Sequence, residues 1–311
     1  VKLSIVTTMY YSAPYIEEFC RRVIAAGENI TPDLELILVN DGSPDNALEI
    51  AVGLHERDSR ISVIDLSRNF GHHKAIMTGI ARARGELVFL IDCDLEEEPE
   101  LLPEFYEALQ SSGSDVIYGV QESRKGGVFE RISGTFFYTV FNALSTVPIP
   151  KNVVTVRLMT RRYVEALIEH QEREMMLAGL WAITGFSQQP HTIVKGHKGS
   201  TTYRFSLKIS HLINAVTSFS SKPLVYVFGL GVAIMFLSFG AGFGLIMCRV
   251  FWGVMLSGWP SLMVAVCFLG GLNILCIGII GIYLSKVYVE VKQRPYTIIR
   301  KVYDKSGQPH E

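Results

Sequence analysis

The chain is predicted to fold as an α/β domain with a largely parallel sheet, followed by two long apolar helices. Short apolar strands alternate with amphipathic helices from Leu3 to Gly119. Far downstream, Pro223 to Cys248 and Val250 to Ser285 contain no Asp, Glu, Lys, Arg or His. A third observation points to a site: an apolar strand runs into Asp92-Cys93-Asp94, two carboxylates one residue apart. Side chains at i and i+2 of an extended chain share a side. The pair can therefore offer its oxygens to one hard cation. In open α/β sheets the strand ends are also where ligands bind. By itself an acidic pair often only caps a turn, and its surroundings decide its meaning.

The elements follow in order. Strands are predicted at Leu3–Thr8, Leu34–Asn40, Ile61–Leu66, Glu86–Ile91 and Asp115–Gly119. Helices are predicted between them at Pro14–Ala26, Asp45–Asp58, His73–Ala83 and Pro99–Ser111. Apolar strands separated by amphipathic helices imply a sheet covered on both faces. Asp41-Gly42-Ser43 and Asn69-Phe70-Gly71 fall just after strands, in the ligand-facing loops of such a sheet.

Past Gly119 the period changes. Phe129, Ile132, Phe136, Phe137, Val140, Phe141 and Leu144 recur at helical spacing, predicting an amphipathic helix within 126–146 that covers a core or lies at an interface. A second such segment, 205–222, leads into the first charge-free stretch. The expected organisation is a catalytic domain at 1–204, a juxtamembrane helix at 205–222, a membrane hairpin at 223–286 and a tail at 287–311.

The chain has 311 residues, 49% hydrophobic, with a formal net charge of −1. This is long enough for a catalytic domain and an additional part. The near-neutral balance gives no reason to expect a nucleic-acid partner. Each charge-free stretch exceeds the roughly 20 residues that cross a bilayer. Lys208 and Lys222 precede the first, and Lys286, Lys292, Arg294, Arg300 and Lys301 follow the second. Only Arg249 lies near the connection, where Trp252 and Trp259 suit an outer interface. Both ends are thus expected on the cytoplasmic side. The first apolar stretch, broken by Thr7 and Thr8, is expected to be a strand and no signal peptide. Cys20, Cys93, Cys248, Cys267 and Cys276 show no metal-ligand spacing and are expected to be reduced thiols.

Several motifs emerge from one predicted sheet edge: the Tyr10 loop, Asn40-Asp41-Gly42-Ser43, Ser67-Arg68-Asn69-Phe70-Gly71 with Lys74, and Asp92-x-Asp94. The set resembles glycosyltransferase family 2 with the nucleotide-sugar-binding GT-A fold. Within it the chain is similar to membrane-anchored polyisoprenyl-phosphate glycosyltransferases, relatives of dolichol-phosphate mannosyltransferase. The likeness runs from Leu3 to about Tyr296. It includes Phe219-Ser220-Ser221-Lys222-Pro223-Leu224 before the first stretch and Val291-Lys292-Gln293-Arg294-Pro295 after the second.

The resemblance implies roles. Tyr10 and Asp41 would meet the base or ribose, although Asp41 alone reads better as an Asx turn before a helix. Arg68 and Lys74 would lie near the diphosphate. Asp92 would face the ribose, and Asp92, Asp94 and Glu96 would form the metal set for Mg²⁺ or Mn²⁺. Glu97 and Glu98 read as a solvated helix start before Pro99. Arg124, Lys125 and Arg131 would receive the acceptor phosphate, Arg by its bidentate fork; a basic cluster beside a membrane also suits anionic lipid heads. Asp94 and Arg131 would carry the catalytic burden. The implied partners are a nucleotide sugar (UDP-glucose favoured), undecaprenyl or another polyprenyl phosphate, the bilayer of a bacterial plasma membrane, and further copies of the chain as a tetramer.

Three positions depart from the family pattern. Val154-Thr155-Val156-Arg157 stands where many relatives carry Gly-Asp-Phe-Arg, so Thr155 replaces an acid. Thr8-Met9-Tyr10-Tyr11 replaces Pro-x-Tyr-Asn, and Gln121 replaces a basic residue. The leading expectation is an inverting hexosyltransferase making a sugar-loaded lipid phosphate for surface glycans. The alternatives are a processive polysaccharide synthase, which the absence of a Gln-x-x-Arg-Trp segment disfavours, and a membrane scaffold that has lost catalysis.

Overall fold

The computed structural model describes residues 1–121, 150, 152–194, 217, 220–252 and 258–305. The chain divides into two compact units. The first joins Val1–Tyr138 and Val147–Tyr203 to the C-terminal Gln293–Glu311; the second comprises Thr139–Thr146 and Arg204–Lys292.

In the first unit, β1 (Leu3–Met9), α1 (Ile16–Glu28), β2 (Leu34–Asn40), α2 (Ala47–Arg57), β3 (Ile61–Leu66), α3 (His72–Arg82), β4 (Leu87–Leu90), α4 (Leu101–Ser112) and β5 (Val116–Gln121) realise the expected alternation. They are followed by β6 (Val153–Thr160), α5 (Arg161–Ile168), α6 (Leu177–Ile183) and β7 (Gln188–Ile193). One further strand, β8 (Ile299–Tyr303), comes from the segment expected to be a tail.

The eight strands form one sheet in the order β7-β5-β6-β4-β1-β2-β3-β8. Its centre is parallel, with Leu3 opposite Leu34 and Leu87, and Leu36 opposite Ile61. Only β6 and β8 run against their neighbours. This is the GT-A-like α/β architecture.

Every residue of β1 and β2 is buried, as befits strands covered on both faces. Leu3, Ile5, Leu36, Leu38, Phe89, Ile91 and Leu158 face α1, α2 and α4, and join one core with Phe19, Phe105 and Leu109. In α1 the buried Ile16, Phe19, Cys20, Val23 and Ile24 recur at the spacing of a single helical stripe. The alternate strand residues, among them Val6, Val39, Val88 and Leu90, face α3 and α5.

In the second unit, α7 (Lys222–Trp252) and α8 (Trp259–Val291) are long and apolar enough to cross a membrane. A 31-residue helix is about 46 Å long, more than the ~30 Å of a hydrocarbon layer. Phe228, Leu237, Phe239, Ile274 and Leu284 are largely exposed along their sides. Such surface asks for lipid or protein cover. The Tyr283 hydroxyl donates to the Ser220 carbonyl at 2.6 Å, tying α8 to the segment that opens α7. The amphipathic helix expected within 126–146 and nearly all of that expected at 205–222 lie outside the described residues.

One buried carboxylate fixes the N-terminal edge of the sheet. Glu35 accepts from the Ser4 hydroxyl (2.6 Å), the Arg84 amide (2.8 Å) and the Arg84 guanidinium (2.8 Å). Burial pushes its carboxyl up, but these bonds and the Arg84 charge together hold it below the ordinary 4.5. A lowered acid adds stability that is complete above its unfolded value and lost as pH falls through its folded value. The melting temperature is therefore expected to fall with acidification from about pH 4.5 downward. Glu35→Gln should melt lower at pH 7 and show a flatter acid limb; parallel pH curves for the two proteins would contradict this assignment.

Candidate active site

Because β1 to β4 run parallel, their C-terminal ends share one edge, and the loops after them meet there. The junction is organised by Asp41. Its carboxylate is buried and accepts from two backbone amides across the edge, Phe70 at 2.7 Å and Gly71 at 3.0 Å. Burial pushes the Asp41 carboxyl above its ordinary range, against the two amide bonds and the nearby His72 and Arg68, which favour the anion. Gly42 sits at φ +61°, and a Cβ there would lie 2.5 Å from the Asn69 nitrogen, so the two loops approach as closely as backbone allows. Asp41 thus clamps the next loop; the side-chain bond within its own turn comes from Asn40, whose Oδ1 accepts from the Ser43 amide at 3.1 Å, and not from Asp41 as the Asx-turn reading expects.

The same turn holds the loop after β1. The Tyr11 amide donates to Ser43 Oγ (2.7 Å), Ser43 Oγ donates to Asp45 (2.5 Å), and Asp45 accepts from the Ala13 amide (2.9 Å). Tyr11 is thereby held at φ 55°. Tyr10 and Tyr11 stand exposed, ring edge to ring face with centroids 4.9 Å apart.

Asp92 and Asp94 follow the end of β4 and are both partly exposed. Asp94 Oδ1 accepts from the Glu96 amide at 3.1 Å, across Leu95 at φ 61°. Cys93 points the other way, its thiol donating to the Thr8 carbonyl and Ser12 Oγ. Burial raises this thiol to about 12, so it stays protonated. His72, the first residue of α3, was not among the sequence candidates. Its Nε2 lies 3.5 Å from Asp92 Oδ1 and its Nδ1 3.1 Å from Thr8 Oγ1. The available signal was a histidine placed just after Asn-Phe-Gly, at the end of the strand beside β2.

Among the described residues, no three His, Cys, Asp or Glu side chains converge as a cation cage. Asp92, Asp94 and Glu96 therefore do not enclose an ion by themselves. The donor set still fits Mg²⁺, which is commonly bound through one or two carboxylates and completed by substrate phosphates.

Arg68 is exposed and folded over the Phe70 ring at 4.1 Å, donating to the Asn69 carbonyl at 3.0 Å. Lys74 lies half-buried in the first turn of α3. Arg124, Lys125 and Arg131 lie outside the described residues. Gln121 ends β5, and Thr155 is half-buried on β6, where its carbonyl accepts from Arg157 Nε at 3.2 Å.

Arg157 pairs in register with Leu90 and Tyr118, just below Asp92. It is fully buried and stacked on the Trp181 indole. Burial lowers its pKa to about 9, opposed by Tyr163 and Glu97, so it remains a cation at neutral pH. Glu97 is itself completely buried. This corrects the reading of Glu97 as part of a solvated helix start: its carboxylate turns inward, where its charge favours the Arg157 cation. A cavity of about 220 Å³ adjoins this layer, lined by Tyr118, Val153, Arg157, Trp181, Phe186 and Gln188. The buried Trp181 Nε1 has no hydrogen-bond partner.

The chain belongs to glycosyl transferase family 2, whose model matches residues 4–170. A Mycobacterium tuberculosis protein described only as belonging to the glycosyltransferases is 54% identical, over 97% of this chain and 89% of its own length. A Synechocystis glycosyltransferase (sll0501) is 33% identical over 100% of this chain and 98% of its own. The bactoprenol glucosyl transferase of Shigella phage SfII is 31% identical over 97% of this chain and 98% of its own.

The clamp gives a direct test. Asp41→Asn sets an amide NH₂ against one of two buried backbone N–H groups, which costs about 1–3 kcal/mol. A lowered melting temperature with faster amide exchange at Phe70 and Gly71 is expected; exchange unchanged from the parent would show that the carboxylate does not hold the loop.

Proposed function

We propose that the protein transfers a hexose from a nucleotide sugar, UDP-glucose being favoured, to undecaprenyl or a related polyprenyl phosphate. The single observation that carries this is near-complete coverage of a bactoprenol glucosyl transferase, extending through the apolar helix pair. The catalytic architecture agrees: a strand-end acidic pair sits among three clamped loops on one sheet edge.

In this reading Tyr10, Tyr11 and the Asp41 turn form the nucleoside side. Arg68 swings from Phe70 to the diphosphate, with Lys74 beside it. Asp92 and Asp94, with Glu96 beside them, would hold a divalent cation, Mg²⁺ or Mn²⁺. When bound, that ion supplies charge neutralisation of the leaving group. The cavity beside Arg157 and Trp181 takes the hexosyl ring. Arg124, Lys125 and Arg131 receive the lipid phosphate.

The acceptor needs no protein base. A phosphate monoester has its second pKa near ~6, so it is already an anionic nucleophile at pH 7. Its oxygen bonds to the anomeric carbon as the bond to the nucleoside diphosphate breaks, inverting the configuration. Thr155 in place of a carboxylate is compatible with this, since no hydroxyl proton has to be removed. The helix pair crosses the bilayer twice, with the sheet domain and the C-terminus on the cytoplasmic face, in accord with the flanking lysines and arginines.

The test is purified full-length protein with Mg²⁺, radiolabelled UDP-glucose and other nucleotide sugars, and undecaprenyl phosphate. The expected product is a lipid phosphate bearing one hexose, formed at rates that drop at least ~100-fold in Asp94→Ala, the scale of losing an electrostatic stabiliser. A long polymer would indicate a processive synthase. Nucleotide binding without turnover of any donor would indicate a scaffold.

A further inference from the structure

We infer that Arg300, on the strand that follows the apolar helix pair, is a positioning residue for the nucleotide side of the site. This rests on the donor-site reading above. β8 joins the sheet at its edge, antiparallel to β3, with Lys301 opposite Asp65 and Ile299 opposite Leu66. Arg300 is the extra residue in that register shift. Bulges of this kind re-aim a side chain, and here the guanidinium turns onto β3. It donates to the Ser67 carbonyl at 2.6 Å and lies 3.4 Å from Asp65 Oδ2.

Asp65 is 2% exposed. A buried carboxylate left without a cation is costly, and Arg300 is the cation that faces it. The other carboxylate oxygen accepts from Asn40 Nδ2 at 2.8 Å. Asn40 is likewise buried, and its Oδ1 accepts from the Ser43 amide at 3.1 Å. Ser43 Oγ in turn holds the Tyr11 amide. An unbroken series of polar contacts therefore runs from Arg300 through Asp65, Asn40 and Ser43 to the Tyr10–Tyr11 loop. The same segment is fastened just before the bulge: the Ser67 amide donates to the Ile298 carbonyl at 2.9 Å, and Thr297 and Thr78 hydroxyls meet at 2.8 Å. The contacts that Arg300 makes are to Asp65 and the Ser67 carbonyl, so its effect on substrate runs through them.

Removing Arg300 strands the Asp65 charge and loosens Asn40, whereas Asp65→Asn keeps an oxygen for Asn40 and needs no cation. Full-length parent, Arg300→Met, Arg300→Lys and the double variant Arg300→Met/Asp65→Asn are to be compared for UDP and GDP affinity with Mg²⁺, and for amide exchange at residues 40–45. Arg300→Met should weaken binding of the preferred nucleotide about tenfold and raise exchange at 40–45. Arg300→Lys should fall between it and the parent. The double variant should recover to within about threefold. Equal affinity in Arg300→Met and parent, or a double variant no better than Arg300→Met, would overturn the inference. If the parent binds neither nucleotide, the donor-site reading fails. Exchange at 40–45 then still judges Arg300, and unchanged protection there overturns its role. Should Arg300→Met not fold, the Lys and double variants carry the same comparison.

Discussion

The buried Asp41 carboxylate, accepting the Phe70 and Gly71 amides, is the contact on which the geometry of the edge depends. Two loops from neighbouring parallel strands have backbone donors that must be satisfied away from water, and one side chain satisfies a pair of them. That bond sets where α3 begins. The start of α3 in turn places His72 between Thr8 and Asp92. With Gly42 allowing backbone-to-backbone approach, the ends of β1, β2, β3 and β4 become one continuous rim. The energetic cost of burying a charge is visible in the raised pKa of Asp41, and it is accepted where a loop must be held.

A second buried ionic layer lies under the acidic pair. Arg157 stays cationic with its stack on Trp181 and the nearby Glu97 charge. Buried ions of this kind add little net stability, but removing one partner is strongly destabilising. The layer thus enforces one arrangement beneath Asp92 and beside the cavity. Together with Arg300 and Asp65 at the opposite flank, the sheet places compensated charges on both sides of the rim.

Much of this was legible in the sequence. The nine alternating elements up to Gly119 follow from periodicity, because strands covered on both faces must be apolar throughout and helices need one apolar stripe. The helix pair follows from composition. Asp92 and Asp94 at the end of β4 follow from strand alternation. What the sequence hid was long-range. Residues 299–303 fell within the expected tail at 287–311, since an edge strand needs few apolar residues and its partner β3 lies more than two hundred residues earlier. Arg157 and Glu97 read as a motif residue and a surface acid, because nothing local announces that a charge is buried. His72 gave only a helix-start signal, since its partners Thr8 and Asp92 come from other strands.

The central claim is that the rim at the end of β4 is where a divalent cation and the donor diphosphate meet. It is tested most directly by diffraction from crystals grown with UDP and Mn²⁺, using the anomalous signal to locate the metal. A single strong peak is expected within coordination distance of Asp94 and of both phosphates, with the uracil against the Tyr10–Tyr11 loop. Bound UDP with its diphosphate elsewhere, or manganese away from Asp92 and Asp94, would contradict it.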